Sequence, residues 1–208
     1  FENYNANMNE NEFVTDGKVS QDSSHEFLRE LLRTVLVVLL IVLPIRLFVA
    51  QPFIVSGASM TPNFSTGDYL IIDQISYQFE EPQRGEVVVF RYPQDPSKFF
   101  IKRIIGLPGE TVQVTPTEVI VFNNEHPDGF TLSEPYLSPD NSYSTKVTTF
   151  DLDTKEYFVL GDNRSSSSDS RFWGALPEEN LIGKAYVRLL PTRKAGLYPG
   201  YEAVRTTQ

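Results

Sequence analysis

Residues 85–106 read GEVVVFRYPQDPSKFFIKRIIG, from Gly85 to Gly106. Two runs rich in Val, Ile, Phe and Tyr, 85–92 and 99–106, flank a segment of Pro, Gln, Asp and Ser, which is the grammar of short strands joined by a turn. The same pattern recurs outward in both directions. DYLIID (68–73), TVQV (111–114), EVIVF (118–122), EYFVLG (156–161) and KAYVRLL (184–190) are separated by Gly, Pro, Asn and Asp, and no long amphipathic helix interrupts them. The expectation is a mainly β, antiparallel domain over 51–195, with a looser, more polar insertion at about 116–149 and a C-terminal tail over 196–208.

Upstream of this region the text changes. Leu31 to Ala50 reads LLRTVLVVLLIVLPIRLFVA, about twenty mostly apolar residues with Arg33, Pro44 and Arg46 as interruptions. That length suits a crossing of a ~30 Å hydrocarbon layer. Val35 to Leu43 lacks the polar stripe that a helix packed on a soluble core would show. The stretch is therefore expected to be one N-terminal transmembrane helix, an anchor over 26–50, preceded by a flexible polar tail over 1–25. Lys18, Arg29 and Arg33 lie before the apolar core, and after Arg46 no basic residue follows until Arg84. The positive-inside bias then puts the N-terminus in the cytoplasm and the β domain on the far side.

Composition narrows the possible functions. The chain has 208 residues, 40% of them apolar and 12% aromatic, enough to bury a core. A net charge of -9 argues against binding nucleic acid, which needs clustered Lys and Arg. With no cysteine there is no thiol nucleophile, disulfide or thiolate metal site. The two histidines, His25 and His126, have no motif around them, so a Ser-His-Asp triad and a histidine metal site are not expected.

Three clusters carry chemistry. Ser56-Gly-Ala-Ser59-Met-Thr-Pro62 surrounds Ser59 with small residues, so a peptide backbone could approach its hydroxyl closely. In the strand Lys98 to Gly106, a period of two puts Phe100, Lys102 and Ile104 on one face, expected to be the buried one. Burial disfavours an ammonium and lowers its pKa, which turns a lysine into a usable base, whereas Arg103 on the opposite face stays protonated. The third cluster runs from Gly161 to Gly174, GDNRSSSSDSRFWG, where Asp162, Arg164, Asp169, Arg171 and Trp173 suggest a hydrogen-bonded loop that supports a site.

Together these elements resemble the bacterial-type type I signal peptidases, also called leader peptidases, a serine/lysine dyad family. SGASMTP (56–62), KRIIGLPGE (102–110) and GDNR followed by SSDSRFWG (161–174) stand in the order found in that family, behind a membrane segment. GDYL (67–70), RGEVVVF (84–90), EPYL (134–137) and LIGKA (181–185) are also similar to it, so the likeness spans about 27–195. The resemblance implies Ser59 as nucleophile, Lys102 as general base and Ser167 as a hydroxyl that orients the lysine. It also implies Asp169 and Arg171 as a structural ion pair, and Gly161 and Asp162 as scaffold near the site. In some members a serine two positions before the nucleophile serves the oxyanion, but here that position is Gly57. The Ser59 backbone N–H then remains as one donor, with Ser56 a candidate for the second.

The implied reaction is endoproteolytic removal of signal peptides from exported preproteins having small residues at the first and third positions before the cut. The implied partners are those preproteins and a lipid bilayer. Neither cofactor nor metal is expected, nor any nucleic acid, and self-association is left open. The implied location is the inner or plasma membrane, or the thylakoid membrane, with a single pass. Two rivals make different demands. A self-cleaving repressor-type serine/lysine peptidase would need a DNA-binding domain, and a membrane-tethered β module that only binds partners would give Ser59 and Lys102 no special place.

Overall fold

The computed structural model describes residues 21–43, 50–139, 146–201 and 206–207. They fall into two units that divide between Pro44 and Ile45. The first is helical: α1 (Gln21–Val37) continues as a π-helical turn over Val38–Val42. The helix begins inside the stretch expected to be a flexible tail, whose first 20 residues lie outside the described ones. Large apolar side chains along it, Leu28, Leu36 and Leu40 among them, are exposed. Among the described residues no helix is long and apolar enough to cross a membrane. The outgoing part of the expected anchor, residues 44–49, lies outside the described residues.

The second unit is antiparallel β structure, as the strand pattern led us to expect. In chain order its strands are β1 (Ala50–Ile54), β2 (Tyr69–Asp73), β3 (Val87–Tyr92), β4 (Asp95–Gly106), β5 (Thr111–Val114), β6 (Val119–Phe122) and β7 (Phe130–Leu132). Then come β8 (Thr148–Asp151), β9 (Glu156–Leu160), β10 (Leu176–Pro177), β11 (Leu181–Leu190), β12 (Gly196–Leu197) and β13 (Thr206–Thr207). The larger sheet runs β1-β2-β11-β3-β4-β9-β10, with β12 on β11, and the smaller runs β13-β7-β6-β5-β8. One helical turn, α2 (Ser170–Trp173), follows β9.

The unbroken apolar run Val87 to Phe90 in β3 is explained by burial on both faces. Val87 and Val89 join a core with Met60, Phe64, Leu70 and Ile72, while Val88 and Phe90 join another with Ile104, Tyr157, Val159 and Leu176. Burying an aliphatic or aromatic side chain of this kind contributes roughly 1.5–3 kcal/mol, so a strand buried on both sides is held firmly in register. β4 is its antiparallel neighbour, pairing Val88 with Lys102 and Phe90 with Phe100.

Two peripheral segments contribute strands. The segment 116–149 supplies β6, β7 and the start of β8 to the smaller sheet. Val119, Val121 and Leu132 from it are buried with Ile105, Val112 and Phe158. It is polar overall because its strands have an exposed face, yet it carries a third core. In the C-terminal segment β12 pairs β11, β13 pairs β7, and the Gly200 carbonyl accepts a hydrogen bond from Arg103.

Candidate active site

β1 ends at Ile54 and hands the chain to the loop that carries Ser59. Val55 N–H donates to Asp68 O at 2.9 Å and Gly67 N–H to Val55 O at 2.9 Å, fixing the start of that loop against β2. Gly57 sits at φ +98°, a conformation that side-chain-bearing residues rarely adopt, with no atom crowding the place of a Cβ. Its backbone therefore explains why this position is glycine rather than serine. Thr66 brackets the same turn, its hydroxyl accepting from Gly57 N–H at 3.0 Å and donating to Gly57 O at 3.1 Å.

Lys102 lies 43 residues away in sequence, yet its Nζ is 2.8 Å from Ser59 Oγ. Nζ also donates to Ile101 O at 2.8 Å and stands 5.3 Å from the centre of the Phe100 ring. The side chain is only 4% exposed. Burial pulls the ammonium down to about 8 from an ordinary 10.5, against the opposing pull of the Asp169 and Asp162 carboxylates. A lysine at this level is partly neutral near physiological pH, and a neutral amine has the lone pair needed to accept a hydroxyl proton.

The loop after β9 braces the nucleophile from the other side. Asn163 N–H donates to Ser59 O at 2.9 Å, and Asn163 Nδ2 donates to Ala58 O at 3.2 Å and to Thr61 Oγ1 at 3.1 Å. Gly161 is required by proximity: a Cβ there would lie 2.5 Å from Ser59 O and 2.2 Å from Ser167 Oγ. Ser167 is buried at this spot, but its hydroxyl has no hydrogen-bond partner among the described residues. Lys102 Nζ is directed at Ser59 Oγ and Ile101 O. Asp169 holds the loop: its carboxylate accepts from Gly161 N–H at 3.1 Å and pairs with Arg171 Nε at 2.7 Å and Nη2 at 2.8 Å.

Directly behind Lys102, on the opposite face of β4, Arg103 and Asp162 are both fully buried. Nε and Nη2 of Arg103 donate to the two carboxylate oxygens at 2.8 and 2.7 Å, Nη1 donates to Gly85 O at 2.8 Å, and the Tyr136 ring lies 3.8 Å from the guanidinium carbon. Asn63 Nδ2 adds a bond to Asp162 at 2.8 Å. Dense hydrogen bonding is what makes such a desolvated pair tolerable. Sequence parity assigned only the lysine face to the interior; the partner that lets the other face be buried lies 59 residues further on. Arg164 of the same loop pairs with Glu134, tying the insertion to the site.

Ser59 opens on a cleft of about 240 Å3 whose walls include Phe53, Val55, Leu70, Phe100 and Ile101. Ser56 and Ser168 supply its polar edge, and Ser168 was not singled out from sequence. The Ser59 N–H makes no hydrogen bond among the described residues. Nor does any group of three or more His, Asp or Glu among them stand together as a metal site. A serine hydroxyl, a buried weak-base amine in contact with it, a free backbone N–H and a small apolar cleft form the constellation needed for acyl transfer.

The chain is similar to known peptidases. The family model described as signal peptidase, peptidase S26, matches residues 28–190. A signal peptidase I of Leptolyngbya laminosa is 42% identical over 161 residues, 74% of this chain and 75% of that protein. A probable signal peptidase I-2 of Synechocystis sp. is 42% identical over 159 residues, 74% of this chain and 69% of its own length. Among solved structures, a signal peptidase I of Enterococcus faecalis V583 is 31% identical with a TM-score of 0.42, covering 50% of this chain and 97% of that one.

Proposed function

The chain belongs to the signal peptidase family, peptidase S26, and on that footing we propose that Ser59 and Lys102 are the nucleophile and general base with which it removes signal peptides from exported preproteins. The observation that carries the assignment is the 2.8 Å contact between Ser59 Oγ and a buried amine whose pKa is about 8. A match to the signal peptidase family over residues 28–190 argues against both the repressor reading and the purely binding β module.

In the proposed reaction neutral Lys102 accepts the Ser59 proton as Oγ attacks the scissile carbonyl. Negative charge moves to the carbonyl oxygen, where the Ser59 N–H donates to it, and Ser56 at the cleft edge is the candidate second donor. Collapse expels the amine of the mature chain, which takes its proton from the Lys102 ammonium. The lysine then removes a proton from water, the hydroxide attacks the acyl-serine, and Ser59 recovers its proton. Asp169 with Arg171, Asp162 with Arg103, and Gly161 keep the loop and strand in place, and Ser167 is a positioning hydroxyl beside Ser59. The small apolar cleft suits small residues at the first and third positions before the cut.

The apolar run Leu31 to Ala50 supports a single-pass anchor over 26–50 with a cytoplasmic N-terminus. The β domain would then face the extracytoplasmic side of an inner, plasma or thylakoid membrane, where enzyme and substrate share one surface. The test is turnover of a preprotein in detergent by the wild type and by Ser59→Ala, Lys102→Ala, Ser167→Ala and the Ser59→Ala/Lys102→Ala double variant. Either dyad substitution should abolish cleavage, the double variant should be no worse than the single ones, and Ser167→Ala should only slow it. Substantial activity in Ser59→Ala would overturn the assignment.

A further inference from the structure

The catalytic cleft leads into a second groove by one step along each of three strands. On β1 and the residue that follows it, Gln51, Phe53 and Val55 alternate with Pro52 and Ile54, as side chains do along an extended chain. Phe53 and Val55 line the apolar cleft, whereas Gln51 lines a groove of about 530 Å3. On β3 the step runs from Val89 in the cleft to Arg91 in the groove, and on the paired β4 from Ile101 to Phe99. Phe99 belongs to both spaces. Phe53 meets its ring edge-on at 5.5 Å, and the Arg91 guanidinium stands 5.1 Å from its centre.

The lining changes character at that step. Beyond Phe99 the groove presents the amides of Gln51, Gln74 and Gln78 together with one charge of each sign, Arg91 and Glu178, and Gln74 Nε2 donates to Gln51 Oε1 at 2.6 Å. Among the described residues, the outer edge of β1 is unpaired and β9 joins β4 only from Arg103 onward. Both edges are therefore open to the main chain of an extended peptide.

We propose that this groove is a subsite for the preprotein's fifth residue before the cut, and that it selects an uncharged polar side chain such as Gln, Asn or Ser. The proposal rests on the signal-peptide reading and extends it. Small residues at the first and third positions occupy the apolar cleft beside Ser59. In an extended chain the next side chain on that face belongs to the fifth position, about 6.4–6.8 Å further on. That is the spacing of the strand step from Phe53 to Gln51 and from Val89 to Arg91. The Gln74–Gln51 bond leaves Gln51 Nε2 and Gln74 Oε1 to water, and an apolar side chain seated there would displace that water without offering either group a partner, so the groove discriminates against it.

The experiment uses the full chain in detergent and three fluorogenic peptides with one cleavage sequence. One begins at the third residue before the cut; the two longer ones differ only in having Gln or Leu at the fifth. The wild type should have kcat/KM about two- to tenfold higher for Gln than for Leu, the range of one or more net hydrogen bonds. Gln51→Ala/Gln74→Ala should erase that preference while cutting the short peptide at the wild-type rate. Gln74→Trp, which fills the groove, should slow both long peptides and spare the short one. Equal wild-type rates on the two long peptides, or a double variant that keeps the preference or slows all three alike, would overturn the subsite. If the wild type cuts none of the peptides, the signal-peptide reading itself fails and the subsite with it.

Discussion

Replacing Lys102 by Met removes a charge from a buried place while keeping similar bulk. The ammonium is held at about 8 against an ordinary 10.5. Its folded pKa lies below its unfolded one, so below about pH 8 both states are protonated and the fold bears the full cost, about 3 kcal/mol at ~1.36 kcal/mol per pH unit. As pH rises from there toward the unfolded value, the folded state releases its proton first and the cost fades, to about 1 kcal/mol by pH 10. The variant also leaves the Ile101 carbonyl without its partner, a loss of about 1–3 kcal/mol that does not depend on pH. The stability difference at any single pH therefore mixes two effects, but its pH dependence isolates one of them. Relative to wild type, Lys102→Met should lose about 2.5 kcal/mol of stability advantage between pH 7 and pH 10. The measurement is denaturant unfolding of both full chains in detergent at the two pH values. The single tryptophan, Trp173, reports it, being packed 5.9 Å from Phe90. A stability difference that is flat with pH, or one that moves the other way, would show that burial does not depress the lysine, and the account of Lys102 as a base would fall.

Three further outcomes are expected. Wild-type kcat/KM should rise about tenfold per pH unit below pH 8 and level off above it, since only neutral Lys102 accepts the Ser59 proton; a pH-rate profile with no break near 8 would contradict this. Gly161→Ala should destabilise by roughly 1–3 kcal/mol and depress turnover, because its new Cβ collides with Ser59 O and Ser167 Oγ; unfolding and turnover measured on one preparation decide it. Asp162→Ala should cost about 3–5 kcal/mol by stranding the Arg103 charge, and Asp162→Ala/Arg103→Met should recover part of that loss in the same unfolding assay.

How much of this was legible in the sequence varied with the range of the interaction. β3 and β4 could be read from Val87–Phe90 and Phe99–Gly106 because alternation and β-branched residues are local properties. The pairing of Ser59 with Lys102 needed the family likeness, and the shared face of Phe100, Lys102 and Ile104 supported it. β1 was hidden in the end of the apolar run and contains Pro52, which a strand tolerates here because β1 is at a sheet edge. The burial of Arg103 was illegible because it depends on Asp162, Gly85 and Gly200, none of them near it in sequence. Two-residue strands such as β12 and β13 carry no periodicity at all, so the C-terminal segment looked unstructured until its partners were known.

The bond from Arg103 to the Gly200 carbonyl has a consequence in time. Gly200 is made 97 residues after Arg103, which at ~5–20 residues per second is roughly 5–20 s of synthesis. Asp162 arrives partway through that interval, so the guanidinium gains its counter-charge first and this carbonyl cap later. Until Asp162 is in place, β4 holds a cation without its counter-charge, which favours water over the interior. Ser59 and Lys102 are synthesised early, but the ion pair that lets the opposite face of β4 be buried is complete only once Asp162, 59 residues after Arg103, has been made.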